Sequence, residues 1–152
     1  MKYKTIGAFK NVQNVPYCKA ASDLYVGMGV IIDRADKTAT KPADATECKA
    51  CHYIVTNICD KPETRNSTDF VVKQGEYVRA DDLTTVANME VEFASSEITT
   101  AYASLAVGDT LVFGTDGKLA KETTLTGYGV YFEILEKTGY CDSGVLALIH
   151  VV

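Results

Sequence analysis

A chain of 152 residues is comfortable for one domain and long enough to bury a core without metal or disulfide staples. Hydrophobic residues make up 47% of it and charged residues 23%, which excludes a disordered chain, and no stretch approaches the roughly 18 apolar residues of a membrane-spanning helix. The net charge is -5 and the 15 Lys and Arg are scattered singly, which argues against nucleic acid, because phosphate binding needs concentrated positive charge.

Helical periodicity is scarce, and short β-branched or aromatic runs bounded by Gly, Asp, Asn and Pro recur. The expected fold class is mainly β: a compact β-barrel or β-sandwich, one domain over 1–152, with at most one short helix. The start, Met1-Lys2-Tyr3-Lys4-Thr5, lacks the apolar run of a signal peptide, so the five cysteines are expected as thiols in the cytoplasm. Val26-Gly27 leads into a first apolar run, Val30-Ile31-Ile32. Lys61 to Asp69, with Pro62 and an Asn66-Ser67-Thr68 glycosylation-type triplet, reads as a loop.

In the second half, Asn88 to Ala94 is the clearest half-buried strand, with Met89, Val91 and Phe93 on one face and Glu90 and Glu92 on the other. Ser95 to Leu105 is the only segment with helical spacing, through Ile98, Tyr102 and Leu105 behind a serine cap. Leu111-Val112-Phe113 and Lys118-Leu119-Ala120 flank Asp116-Gly117, the best hairpin signal. From Gly129 to Leu135, Val130, Phe132 and Ile134 share a face. The last eight residues, Val145 to Val152, are largely apolar on both faces, as in a central strand or one covered by a partner.

Self-similarity ties these elements together. Val26-Gly27 precedes Val30-Ile31-Ile32 and then Lys37, while Val107-Gly108 precedes Leu111-Val112-Phe113 and then Lys118 at the same spacing. A strand ending in an acidic residue and lysine follows in each: Tyr53 to Lys61, and Gly129 to Lys137. The pattern suggests an internal duplication, about 24–80 and 105–152, with two similar β-units sharing one core. Strand chemistry alone also imposes such likenesses.

The second unit carries Val107-Gly108-Asp109-Thr110-Leu111-Val112, Asp116-Gly117-Lys118-Leu119, Gly127-Tyr128-Gly129-Val130 and a strand at the end of the chain. In this order of turns and strands it resembles the capsid decoration (cement) or auxiliary capsid proteins of tailed bacteriophages, a head-fibre-base protein fitting equally well. The resemblance covers roughly residues 105–152, with a fainter echo in 24–80, and departs from the pattern at Cys48 to Cys59. It implies a virion structural protein on the outer capsid surface, made in the host cytoplasm. Its partner would be the major capsid protein, with homo-oligomer or self-contacts on the shell, and neither nucleic acid nor membrane.

Candidate chemistry is sparse. Cys48-Lys49-Ala50-Cys51-His52 has the spacing of a covalent haem site, but that attachment occurs outside the cytoplasm. Zinc on Cys48, Cys51 and Cys59, with His52 or Cys141 as fourth ligand, gives the alternative function, a small cysteine-based zinc-binding or adaptor module. Buried thiols are the simpler reading. A thiol nucleophile would need His52, whose side chain points away from that of adjacent Cys51 in a strand, or His150, which sits in the apolar last strand. Asp33 with Asp36, and Asp81-Asp82, read as turns or solvated faces. No residue is assigned a catalytic, cofactor-binding or metal-binding role, and no enzyme activity is expected. Nine tyrosines and five phenylalanines supply core and interface anchors.

Overall fold

A computed structural model describes residues 1–5, 10–58 and 70–152. Cys59, the expected Lys61 to Asp69 loop and its Asn66-Ser67-Thr68 triplet lie outside these. The strands in chain order are β1 (Lys2–Tyr3), β2 (Gln13–Ala20), β3 (Leu24–Tyr25), β4 (Gly29–Asp33), β5 (Thr38–Thr40), β6 (Tyr53–Val55), β7 (Val71–Val72) and β8 (Tyr77–Asp82). They continue as β9 (Glu90–Ala94), β10 (Thr110–Phe113), β11 (Leu119–Lys121), β12 (Val130–Thr138) and β13 (Gly144–Val151). One short helix, α1 (Ala45–Ala50), lies between β5 and β6.

The fold is mainly β, and it divides into a closed barrel and an open sheet. The barrel runs β2-β5-β4-β6-β8 and closes on itself; the sheet has six strands in the order β1-β9-β13-β12-β10-β11; β3 and β7 form a separate ribbon. The barrel's closing pair is parallel, Lys19 opposite Thr38 and Ala20 opposite Ala39, and its other pairs are antiparallel.

Two cores result. The barrel interior is narrow and takes mostly small side chains: Val15, Cys18, Ala20, Val30, Ala39, Val55, Val78 and Ala80 are all buried, with Leu24, Met28 and Tyr53 completing this core. The second core lies between the sheet and the outside of the barrel wall. Phe132 meets Phe93 and Phe113 edge-to-face there, with ring centroids 5.1 and 5.5 Å apart, the arrangement aromatic quadrupoles favour. Ile54 of β6 joins this core rather than the barrel's own, because alternation sends it outward while Tyr53 and Val55 point in. At the seam the Gly29 N–H donates to the Gly117 carbonyl at 2.7 Å, and a Cβ on Gly29 would stand 2.4 Å from the Phe113 ring. Only glycine allows the two units to approach so closely.

The strands read from alternation are where they were expected. Val91 and Phe93 of β9 enter the second core, β10 and β11 form the hairpin with Gly117 at φ 80°, and β13 is central, between β9 and β12. Glu92, expected in solvent, is buried and ion-paired to Lys4 at 3.1 Å beside β1.

The expected helix is in the wrong place. Ser95 to Leu105 holds two single 3₁₀ turns, Ser95–Glu97 and Tyr102–Ser104. The Glu97 carboxylate accepts from the Ala94 N–H and is ion-paired with the amino group of Met1, and Ile98 leaves the turn to bridge Leu119. Tertiary ties override the local periodicity. The true helix, α1, is nucleated by its cap: Asp44 accepts from the Thr46 and Glu47 N–H groups at 2.7 and 2.9 Å, while Glu47 accepts from Ala43 at 2.7 Å. Six residues are too few to show a helical period. Among the described residues no helix is long and apolar enough to cross a membrane.

Candidate functional site

The seam between barrel and sheet opens into a cleft of about 310 Å³, lined by Met1, Lys2, Tyr3, Val26, Thr56, Asn57, Ile58, Arg79 and Asp81. Strand alternation builds its barrel side. Val78 and Ala80 of β8 are buried inside the barrel, so Tyr77, Arg79 and Asp81 point outward. Beyond β6, Asn57 continues the ladder: its side chain donates to the Tyr77 carbonyl at 3.0 Å and accepts from the Arg79 N–H at 2.8 Å. The other side is β1, held to the sheet by Lys2 opposite Glu92 and Tyr3 opposite Val91.

Asp81 is the residue that sequence reasoning misplaced. Asp82 behaves as a turn residue, capping the 3₁₀ turn Leu83–Val86 through Thr84, and Asp33 accepts from the N–H groups of Ala35 and Asp36 in an exposed turn. Asp81, by contrast, is only 1% exposed. The Tyr3 hydroxyl donates to its Oδ2 at 3.4 Å, and Arg79 Nε lies 3.7 Å from its Oδ1, beyond hydrogen-bond reach. Both of these last atoms are buried without a hydrogen-bond partner among the described residues. Burial pushes the Asp81 carboxyl above the usual carboxylate range, with Thr56, Arg79 and Tyr3 pulling against it. Burial, and then the Asp81 charge, raises the Tyr3 phenol.

The cleft gives onto the outer barrel wall. Tyr77 and Lys19 are paired across β8 and β2, and the Lys19 ammonium sits 5.4 Å from the Tyr77 ring centre. Farther round, the Arg34 guanidinium donates to the Tyr17 hydroxyl at 2.7 Å and to the Tyr53 hydroxyl at 3.0 Å.

Among the described residues, which do not include Cys59, the cysteine segment does not assemble into a comparable site. Cys48 and Cys51 are both buried, Cys51 in the second core with its thiol directed at the Val30 and Tyr53 carbonyls. Burial raises both thiols, Cys51 well above the usual range, so neither is a ready thiolate at neutral pH. His52 turns away, with Nδ1 donating to the Ala50 carbonyl at 2.7 Å, and Cys141 is exposed. Among the described residues no three His, Cys, Asp or Glu side chains are grouped to hold a metal ion. His150 is 3.0 Å from Glu133 and stacks on Tyr131 at 4.6 Å on the sheet's outer face.

No protein-family model matches this chain, and no curated protein or solved structure is detectably similar to it. The period of two in Tyr77-Val78-Arg79-Ala80-Asp81 was a readable signal that Arg79 and Asp81 share a face. The burial of Asp81 was not readable, because its contact with Tyr3 of β1 spans 78 residues of sequence.

Proposed function

We propose that this protein is a virion structural protein that decorates and stabilises a capsid lattice by binding its major capsid subunits. The observation that carries the reading is the clustering of interface-type side chains. Tyr17, Tyr77 and Ile58 are exposed on one barrel wall, beside a cleft, on a scaffold whose strands brace one another through a shared aromatic core. Tyrosine and arginine anchors of this kind dominate binding energy at protein surfaces. The order of turns and strands that resembles phage cement proteins supports the same conclusion.

The mechanism is linkage. A protein that binds only the assembled lattice stabilises it by mass action, about 2.7 kcal/mol per site when free protein stands 100-fold above Kd. Adding purified protein to bare shells and following genome release through a temperature ramp tests this. Release should move to higher temperature as protein is added, until sites saturate. Absence of binding at micromolar protein, or binding that leaves the release temperature unchanged, refutes the stabilising role.

A further inference from the structure

We infer that the docking face is the barrel wall running from the seam cleft across Ile58, Tyr77 and Lys19 to Tyr17 and Arg34. The partner it fits is a protein surface that offers an apolar side chain to the cleft and carboxylates to the cations beside it. This rests on the shell-binding reading and names the face and the chemistry that reading requires.

Four observations converge on this wall. Ile58, Tyr77 and Tyr17 are 76, 62 and 40% exposed, and the first two flank the cleft through Asn57 and Arg79. The surface is pre-organised: Arg34 fixes the Tyr17 hydroxyl and Lys19 lies over Tyr77, so little side-chain freedom remains to be lost on binding.

The charge on the wall is also uncommitted. Neither Lys19 nor Arg34 has a carboxylate partner among the described residues: Arg34 donates to two tyrosine hydroxyls and Lys19 faces the Tyr77 ring, in a chain with 20 acidic side chains against 15 basic ones. The neighbouring Asp33 carboxylate is occupied by two backbone N–H groups of its own turn. The outer sheet face, the competing surface, is internally satisfied: Tyr131 is stacked on His150, and His150 is bonded to Glu133. An Arg and Lys pair beside aromatic anchors therefore fits a carboxylate-bearing surface.

The test uses the full-length protein and stripped shells, with co-sedimentation giving Kd for wild type, Tyr17→Ala with Tyr77→Ala, Lys19→Glu, and Tyr131→Ala as the control on the sheet. The double variant and Lys19→Glu should each weaken binding at least about tenfold while Tyr131→Ala changes it less than about twofold. Thermal melts confirm that each variant is folded. Nitration of Tyr17 and Tyr77 in unmodified protein, read by mass spectrometry, should fall when the protein is on the shell. If wild type binds but the double variant binds equally well and both tyrosines stay reactive, the face is wrong and the shell-binding reading stands. Undiminished binding by Lys19→Glu overturns the carboxylate partner, and no binding by wild type overturns both readings.

Discussion

The barrel and the sheet are laid out alike, and the way they differ explains the molecule. In strand order, β5-β4-β6-β8-β2 of the barrel corresponds to β11-β10-β12-β13-β9 of the sheet. The glycine-led entries also make the same bonds. Gly27 N–H reaches the Val55 carbonyl at 2.9 Å and Gly108 N–H the Ile134 carbonyl at 2.8 Å, while Val55 and Ile134 return bonds to Met28 and Asp109 at 2.9 Å. Yet the barrel closes through a parallel pair of β2 and β5, while the corresponding edge of the sheet is held by a single parallel bridge, Ile98 to Leu119. Core volume accounts for the contrast. Mostly valine, alanine and cysteine fill the five-stranded barrel, with Leu24, Met28 and Tyr53 beside them, whereas Phe93, Phe113 and Phe132 need a wider space, which the sheet obtains by staying open and packing on its neighbour's wall.

That contrast can be broken most severely at β13. Deleting Val145 to Val152 removes a central strand and exposes the edges of β9 and β12, so the truncated protein should be insoluble or unfolded. A soluble truncation with a cooperative melt would show that the sheet does not depend on it. Next comes the aromatic core. Phe132→Ala should cost about 3 to 5 kcal/mol in a denaturant titration, and Val78→Ala in the barrel only about 1 to 3 kcal/mol. Equal costs would contradict the division into a narrow and a wide core.

The seam gives a smaller effect. Gly29→Ala forces a methyl group against Phe113 and the Cys51 sulfur and should destabilise by about 1 to 3 kcal/mol; a neutral outcome would mean that the units are not in tight contact there.

The smallest effect is a pH dependence at the cleft. Asp81 has a folded-state pKa raised above its unfolded value of 3.8, so between the two the native state holds more proton than the unfolded chain. Its contribution to stability therefore falls as pH rises through that window. Asp81→Asn, which keeps an acceptor for Tyr3, should melt slightly higher than wild type at neutral pH, and the gap should close as pH drops below 3.8. A gap that persists in acid would assign the gain to packing instead of charge.

Legibility followed the range of the forces involved. β9, β12 and the β10–β11 hairpin were readable because burying one face writes a period of two into the residues and Asp116-Gly117 supplies the turn, while β13 was readable from its unbroken apolar run. α1 was not, because a single turn and a half held by Asp44 and Glu47 leaves no apolar stripe. Ser95 to Leu105 misled for the opposite reason: its helical spacing is real, but Ile98 and Leu105 are buried from a non-helical backbone.

The sequence by itself therefore determined the mainly β class, the alternating strands and an apolar last strand that must be covered, since each is a local consequence of which side chains avoid water. Tertiary structure alone decided that β2 and β5 close a barrel in parallel, that Asp81 lies buried beneath β1, and that Tyr17, Lys19 and Tyr77 stand on one wall. Those outcomes join residues far apart in the chain, and no period or turn signal records which distant strand will provide the cover.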